Sequence, residues 1–192
     1  MSDEIKQIER NIETKYGLTD YDDICLLFYR GNDKITETTL PSYKDFIDRA
    51  RYIHKVNPFV KFIVQSDETE FLELCKRELK DVIIFYDEIR HINKTNSTVD
   101  VVFKDQNFIF SKYYLAIKHI MSKCKFIIFG SGNCSIWILF YRGHARNVMQ
   151  YLRNQWVGRW SRESAFGRAP DGRELASPDG LRPRELCSHM MV

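Results

Sequence analysis

Apolar positions fall along this chain in two alternating patterns, short strand-length runs and stripes at helical spacing. Ile24 to Tyr29 (ICLLFY), Val60 to Val64 (VKFIV), Asp81 to Tyr86 (DVIIFY) and Phe126 to Phe129 (FIIF) are the runs. Near-continuous apolar stretches of this length suit parallel strands covered on both faces. Between them lie helical stripes. Glu4 to Tyr16 repeats Ile5, Ile8 and Ile12, and Pro41 opens a stretch with Tyr43, Phe46, Ile47, Ala50 and Ile53 on one face, closed by Asn57-Pro58. Glu68 to Leu79 and Phe110 to Ser122 complete the set, the former with Ser66 or Asp67 as a candidate N-cap. After Phe129 a turn of small residues, Gly130 to Cys134, leads into a helix opened by Ser135 and carrying Trp137, Leu139 and Phe140. Residues 87 to 105 are polar, lack a clear period and read as a loop. The alternation predicts an α/β fold: a doubly wound, mostly parallel sheet with helices on both faces, a single Rossmann-like unit.

Composition sharpens the boundaries. The 192 residues are the size of one ordinary domain, and 44% apolar content is ample for a core. Residues 1–156 hold 14 Lys and 9 Arg, whereas residues 157–192 hold no Lys, 6 Arg, and no Ile, Asn or Tyr. Three of the five prolines also fall in that last stretch. The shift predicts an N-terminal helix over residues 1–20, a ligand-binding α/β domain over 21–156, and a disordered tail over 157–192, foreign to the fold. A net charge of +3, with acids interleaved among the bases, gives no argument for nucleic acid. Five widely spaced cysteines, Cys25, Cys75, Cys124, Cys134 and Cys187, suit reduced thiols better than a disulfide framework. The first residues contain no apolar signal-peptide core, and no apolar run approaches the ~20 residues of a membrane span, so the expected location is cytoplasmic.

Candidate chemistry clusters where the runs end. Arg30, Asp33 and Lys34 follow the first strand, at the edge where open α/β sheets bind ligands. They read either as a solvated loop with an internal ion pair or as a diphosphate clamp in which Asp33 steadies a cation. Ser66, Asp67 and Glu68 follow the second strand, where capping and ligand contact are both open. The turn after Phe129 presents Ser131, Gly132, Asn133, Cys134 and Ser135 before a helix whose first amides lack intrahelical acceptors. Such a turn serves equally as an anion cradle or as a plain connector. Neither GxGxxG nor GxxxxGK[ST] occurs here.

Taken in order, FYRGNDK with Glu37 close behind, VQSDETEF and KCKFIIFGSGNCSIWILFYRG resemble the three motifs of the GDP-fucose-using fucosyltransferases. The α1,6-fucosyltransferase and NodZ-like group is the nearer one, and the protein O-fucosyltransferases are more distant. The resemblance runs from about Ile24 to Leu152. It implies the donor-binding half of a GT-B architecture, with GDP-sugar as donor substrate, no metal, and inverting transfer to an acceptor hydroxyl. By position it implies that Arg30 grips the β-phosphate, that Lys34 and Asp33 support it, and that Glu37 acts near the acceptor. Asp67 and Glu68 match the paired acids of the second motif, and Ser131, Asn133, Cys134 and Ser135 overlie the phosphate-facing turn of the third.

Departures are specific. The first motif's histidine is Phe28 and its second arginine is Gly31, and SKYYLAIKHIMS lacks the acid that reads the guanine edge in the α1,6 enzymes. Only ~25 residues precede the first strand, too few for an acceptor domain of ordinary size. Two readings follow. The chain is the donor half of a glycosyltransferase, its acceptor half supplied by a partner or a longer gene, or it is a catalytically silent sugar-nucleotide-binding domain.

Overall fold

The structure, a computed structural model, describes residues 1–95 and 97–159. The tail from residue 160 onward, Cys187 included, lies outside the described residues, as do residue 96 and the side chains of Asp33 and Arg159. The element order is α1 (Asp3–Tyr16), β1 (Ile24–Tyr29), a 3-10 turn (Asp33–Thr36), α2 (Tyr43–Val56), β2 (Lys61–Ser66), α3 (Thr69–Glu78) and β3 (Val82–Ile83). There follow α4 (Val99–Val102), a second 3-10 turn (Lys104–Gln106), α5 (Asn107–Lys123), β4 (Phe126–Phe129), α6 (Asn133–Arg142), β5 (Val148–Leu152) and β6 (Gln155–Arg159).

One six-stranded sheet orders them β3-β2-β1-β4-β5-β6, with every pair parallel except β5 and β6. The chain therefore winds outward from β1 in one direction through α2 and α3, then returns to start β4 on its other flank. Crossovers run in opposite directions from β1, and with the usual right-handed connection they place helices on both faces, as the alternation predicts. β1 and β4, paired from Cys25 with Phe126 to Phe28 with Phe129, form the switch point where the winding reverses. All ten residues of β1 and β4 are buried, because a layer of helices covers each side.

Packing follows from the side chains the strands present. Tyr29, Tyr43, Phe46 and Phe71 form a continuous aromatic cluster with ring centroids 4.8 to 5.5 Å apart. It locks α2 and α3 onto the carboxyl ends of β1 and β2. On α1, Glu9 and Glu13 take Lys123 of α5 as a shared partner, which fastens α1 to α5. Arg142, at the end of α6, donates to the carbonyls of Ser122, Cys124 and Lys125, and so pins the corner between α5 and β4. α6 buries Ser135 and Ile138 but leaves Ile136, Trp137 and Phe140 exposed. The cysteines among the described residues are free thiols, and three of the four are buried.

The elements differ from expectation in three places. Only Val82 and Ile83 of the third run pair with β2, because Ile84 and Phe85 leave the sheet and bury beneath it as core. The polar stretch after it contains α4 and a 3-10 turn, and is stitched to the sheet through the pairing of Glu68 with Ile92. The hairpin β5–β6 was not expected at all. It turns on Arg153 and Asn154, both in left-handed conformation, and carries Trp156 back over α2, where the ring lies 5.3 Å from Phe46 and under the Arg49 guanidinium at 4.2 Å. Residues 157–159, assigned by composition to the tail, are the second half of β6. Among the described residues no helix is long and apolar enough to cross a membrane.

Candidate functional site

The site lies at the carboxyl ends of β1 and β4, outside the switch point. Buried parallel strands stop there together, so the residues just past each strand are brought side by side whatever their separation in sequence. Arg30 leaves β1 and reaches the first turn of α6, its Nη1 standing 3.6 Å from the Cys134 sulfur. Two stretches 104 residues apart in sequence thus touch.

The carboxylate that holds Arg30 is Asp67, past the end of β2. Its Oδ2 accepts from Arg30 Nε at 3.0 Å, and its Oδ1 accepts from the Gly31 amide at 3.0 Å. With 21% of the Arg30 side chain and 5% of Asp67 exposed, this is a mostly buried pair that fixes the guanidinium plane. The sequence reading had Asp33 steady one of the cations, and that side chain lies outside the described residues. Asp67 reaches Arg30 because β1 and β2 are adjacent parallel strands that end level, Tyr29 opposite Ser66. Asp67 accordingly does not cap α3, and Ser66 accepts from the Glu68 amide one residue before that helix begins.

Other expected residues serve the backbone. Ser131 Oγ donates to the Tyr151 carbonyl at 2.5 Å, and Ser135 Oγ donates to the Gly130 carbonyl at 2.7 Å. Their hydroxyls thereby shape the turn and tie it to β5. Gly132 precedes α6 with φ +150°, a conformation that a side chain would strain, and no side chain caps the helix. The first amides of α6, at Asn133 and Cys134, have no intrahelical acceptor, as at any helix N-terminus. Lys34 is bound to Glu37, its Nζ 2.7 Å from both carboxylate oxygens, on the 3-10 turn after β1. Glu37 is exposed and Lys34 mostly covered.

Glu68 has no exposed surface. Its carboxyl lies against the Cα of Gly31, accepts from the Tyr43 hydroxyl through Oε2, and leaves Oε1 without a partner among the described residues. Burial, and to a smaller degree the neighbouring Asp67 charge, raise its pKa against the opposing effect of Tyr43. A carboxyl whose folded pKa lies above its unfolded value contributes stability in full below the unfolded pKa, about 4.3. That contribution is lost as pH rises through the folded value. Glu68→Gln, which keeps an acceptor for Tyr43 without the charge, is expected to gain stability relative to the native protein as pH climbs from 4 to 8. Thermal melts across that range check it, and a constant difference would remove Glu68 as the titrating group.

Three contributors carried no sequence expectation. Asn32, 2% exposed, donates to the Asp67 carbonyl and accepts from the Thr95 amide, both at 2.8 Å, and so binds the long loop to the site. Tyr114, on α5, has its hydroxyl buried beside Arg30 and the Cys134 thiol. Burial pushes that phenol well above its ordinary pKa, so it remains a neutral donor. Gln65, at the end of β2, is 4% exposed, and its Oε1 has no hydrogen-bond partner among the described residues. Only the last had a visible signal: a polar residue that closes an apolar run at the ligand-facing edge.

A cleft of about 490 Å³, counted to its open mouth, extends from Arg30 and Tyr114 between the end of β2 and the segment before α5. Its enclosed room is about 90 Å³, well under the ~300–1,000 Å³ of a complete small-molecule site, so it takes only part of a ligand. Among the described residues no group of three or more His, Cys, Asp or Glu is placed to hold a metal ion. No protein-family model matches the chain, and no curated protein sequence matches it significantly.

Proposed function

We propose that the chain binds a nucleoside-diphosphate sugar at the switch point and serves as the donor half of an inverting glycosyltransferase of the GDP-fucose-using type. The observation that carries this reading is the convergence of Arg30 with the first turn of α6, at 3.6 Å between Nη1 and the Cys134 sulfur. A guanidinium plane fixed by Asp67, next to the positive end of α6, favours a diphosphate. In sugar transfer the departing diphosphate gains negative charge as its bond to the sugar breaks. Donors already aimed at those oxygens stabilise that charge more in the transition state than in the bound substrate. Glu37 is the candidate base for an acceptor hydroxyl, arriving on a partner or a further domain.

One observation favours the alternative of silent binding. Both oxygens of Glu37 are tied to Lys34 at 2.7 Å, which weakens it as a proton acceptor. Calorimetric titration with GDP, GDP-fucose and inorganic pyrophosphate tests the shared site. Arg30→Lys keeps the charge but not the planar fork, and is expected to weaken all three roughly ten- to a hundred-fold. Unchanged affinity would take Arg30 out of the site. Transfer of fucose to water or to a simple acceptor, with loss in Glu37→Gln, would favour the enzyme over the silent domain, whereas binding without turnover would favour the silent one.

A further inference from the structure

The cleft beyond Arg30 has a character of its own, and Gln65 is its unexplained member. A side chain 4% exposed whose carboxamide oxygen meets no donor among the described residues is costly, since a buried acceptor without a hydrogen bond forfeits its hydration. Gln65 stands in register with Phe28 on the neighbouring strand and lines the cleft next to Arg30 and Asp67. A buried acceptor at the end of a strand, in a residue that lines an open cleft, fits a donor that arrives with a ligand.

The walls say which ligand. Ile89, Val99 and the flat ring of Phe110 line the cleft away from Arg30, and the Arg90 guanidinium lies over that ring at 5.3 Å. Each carboxylate on the cleft has its own cation. Asp67 holds Arg30, Glu88 accepts from Lys15 at 2.6 Å, and Asp100 stands 2.6 Å from Arg90. The cleft interior is thus close to electrical neutrality, while Arg30 at its edge contacts the first turn of α6. The whole suits a molecule that is anionic at one end and a neutral planar ring with edge N–H groups at the other.

We infer that this cleft is a nucleobase pocket and that Gln65 is the residue that reads the base, its Oε1 accepting an N–H from the base edge. The inference rests on the diphosphate reading of Arg30 and deepens it. Val99 and Phe110 hold the ring faces, and the Gln65 carboxamide, able both to accept and to donate, meets the edge. Affinity for the ring is then separable from affinity for the phosphates, since the two are held by different residues.

The test is titration of the full chain with GDP, UDP, ADP and inorganic pyrophosphate, for the native protein and for Gln65→Leu. The native protein is expected to bind at least one nucleoside diphosphate tenfold or more tighter than pyrophosphate. Gln65→Leu is expected to lose roughly ten- to a hundred-fold for that nucleotide and nothing for pyrophosphate, with an unchanged or raised melting temperature. The side-chain amide resonances of Gln65 should move with the nucleotide and stay put with pyrophosphate. Should Gln65→Leu fold poorly, Phe110→Ala, which alters the wall alone, is expected to give the same selective loss. If pyrophosphate binds and no nucleotide binds better, the pocket is refuted and the diphosphate site stands. If neither binds, both fall. A Gln65→Leu protein with native nucleotide affinity, or with equal losses for nucleotide and pyrophosphate, overturns the role of Gln65.

Discussion

Arg30→Ala is expected to destabilise the fold by about 3–5 kcal/mol, in addition to abolishing diphosphate binding. Asp67 explains the size. It is 5% exposed at its side chain, and Arg30 is its bonded cation at 3.0 Å, so removing the guanidinium leaves a nearly covered charge without that partner. The second oxygen of Asp67 still takes the Gly31 amide, so it cannot rotate out without orphaning that N–H. Arg30→Ala combined with Asp67→Asn is expected to recover a substantial part of the loss, because a neutral amide oxygen can still accept from Gly31. Urea denaturation of the two single variants and the double variant measures this. A loss in Arg30→Ala within the ±0.5 kcal/mol of an ordinary surface change would mean that the pair does not join β1 to β2. It also makes Arg30→Ala a poor probe of ligand binding, which is why Arg30→Lys carries that test.

The parts of the fold legible in the sequence are those in which one physical demand acts alone. β1 and β4 begin and end where the apolar runs do, since a strand covered on both faces admits no polar residue. The helical stripes locate α1, α2, α3 and α5 to within three residues at either end, and the boundary errors come from capping. Pro41 was read as the opening of α2, but the structure uses Ser42, whose hydroxyl accepts from the Asp45 amide while Asp45 accepts from the Ser42 amide. β5 and β6 were hidden because they lie at the sheet edge, where one side is wet and the pattern mixes Gln150, Gln155 and Arg159 with Val148 and Met149. β3 was overextended because DVIIFY supplies apolar residues to the core whether or not they pair.

The site was legible only as a set of neighbourhoods. Parallel topology brings the ends of β1, β2 and β4 together, so Arg30, Asp67 and Cys134 could be named from position alone. What each polar group does with its hydrogen bonds could not. A serine in a small-residue turn can serve the backbone or a ligand, and Ser131 and Ser135 both serve the backbone. An acid after a strand can face solvent or be buried, and Glu68 is buried because Gly31 leaves room for it. Gly31 is in this light a packing feature of this chain, tied to Glu68.

Gly31→Ala is the sharpest test of that tie. An added Cβ would lie 2.1 Å from Glu68 Oε1, 2.3 Å from its Cδ and 2.6 Å from Oε2. In an exposed setting the carboxyl would swing aside at little cost. Here Glu68 has no exposed surface and Tyr43 holds its other oxygen, while the Tyr43 ring stands among Tyr29 and Phe71 at 5.1 and 5.4 Å. Strain therefore passes into the aromatic cluster or into the β1 backbone, and either route also displaces Arg30. Overpacking of this kind costs about 1–3 kcal/mol and at times more, and Gly31→Ala is expected at or above the top of that range. Adding Glu68→Ala removes the atoms the new methyl meets, so the double variant should be less destabilised than the sum of the two single ones by at least 1 kcal/mol. Additive losses would mean that Gly31 answers to something other than Glu68. A strong coupling would show that this acid was kept at the end of β2 by the absence of a side chain at the end of β1.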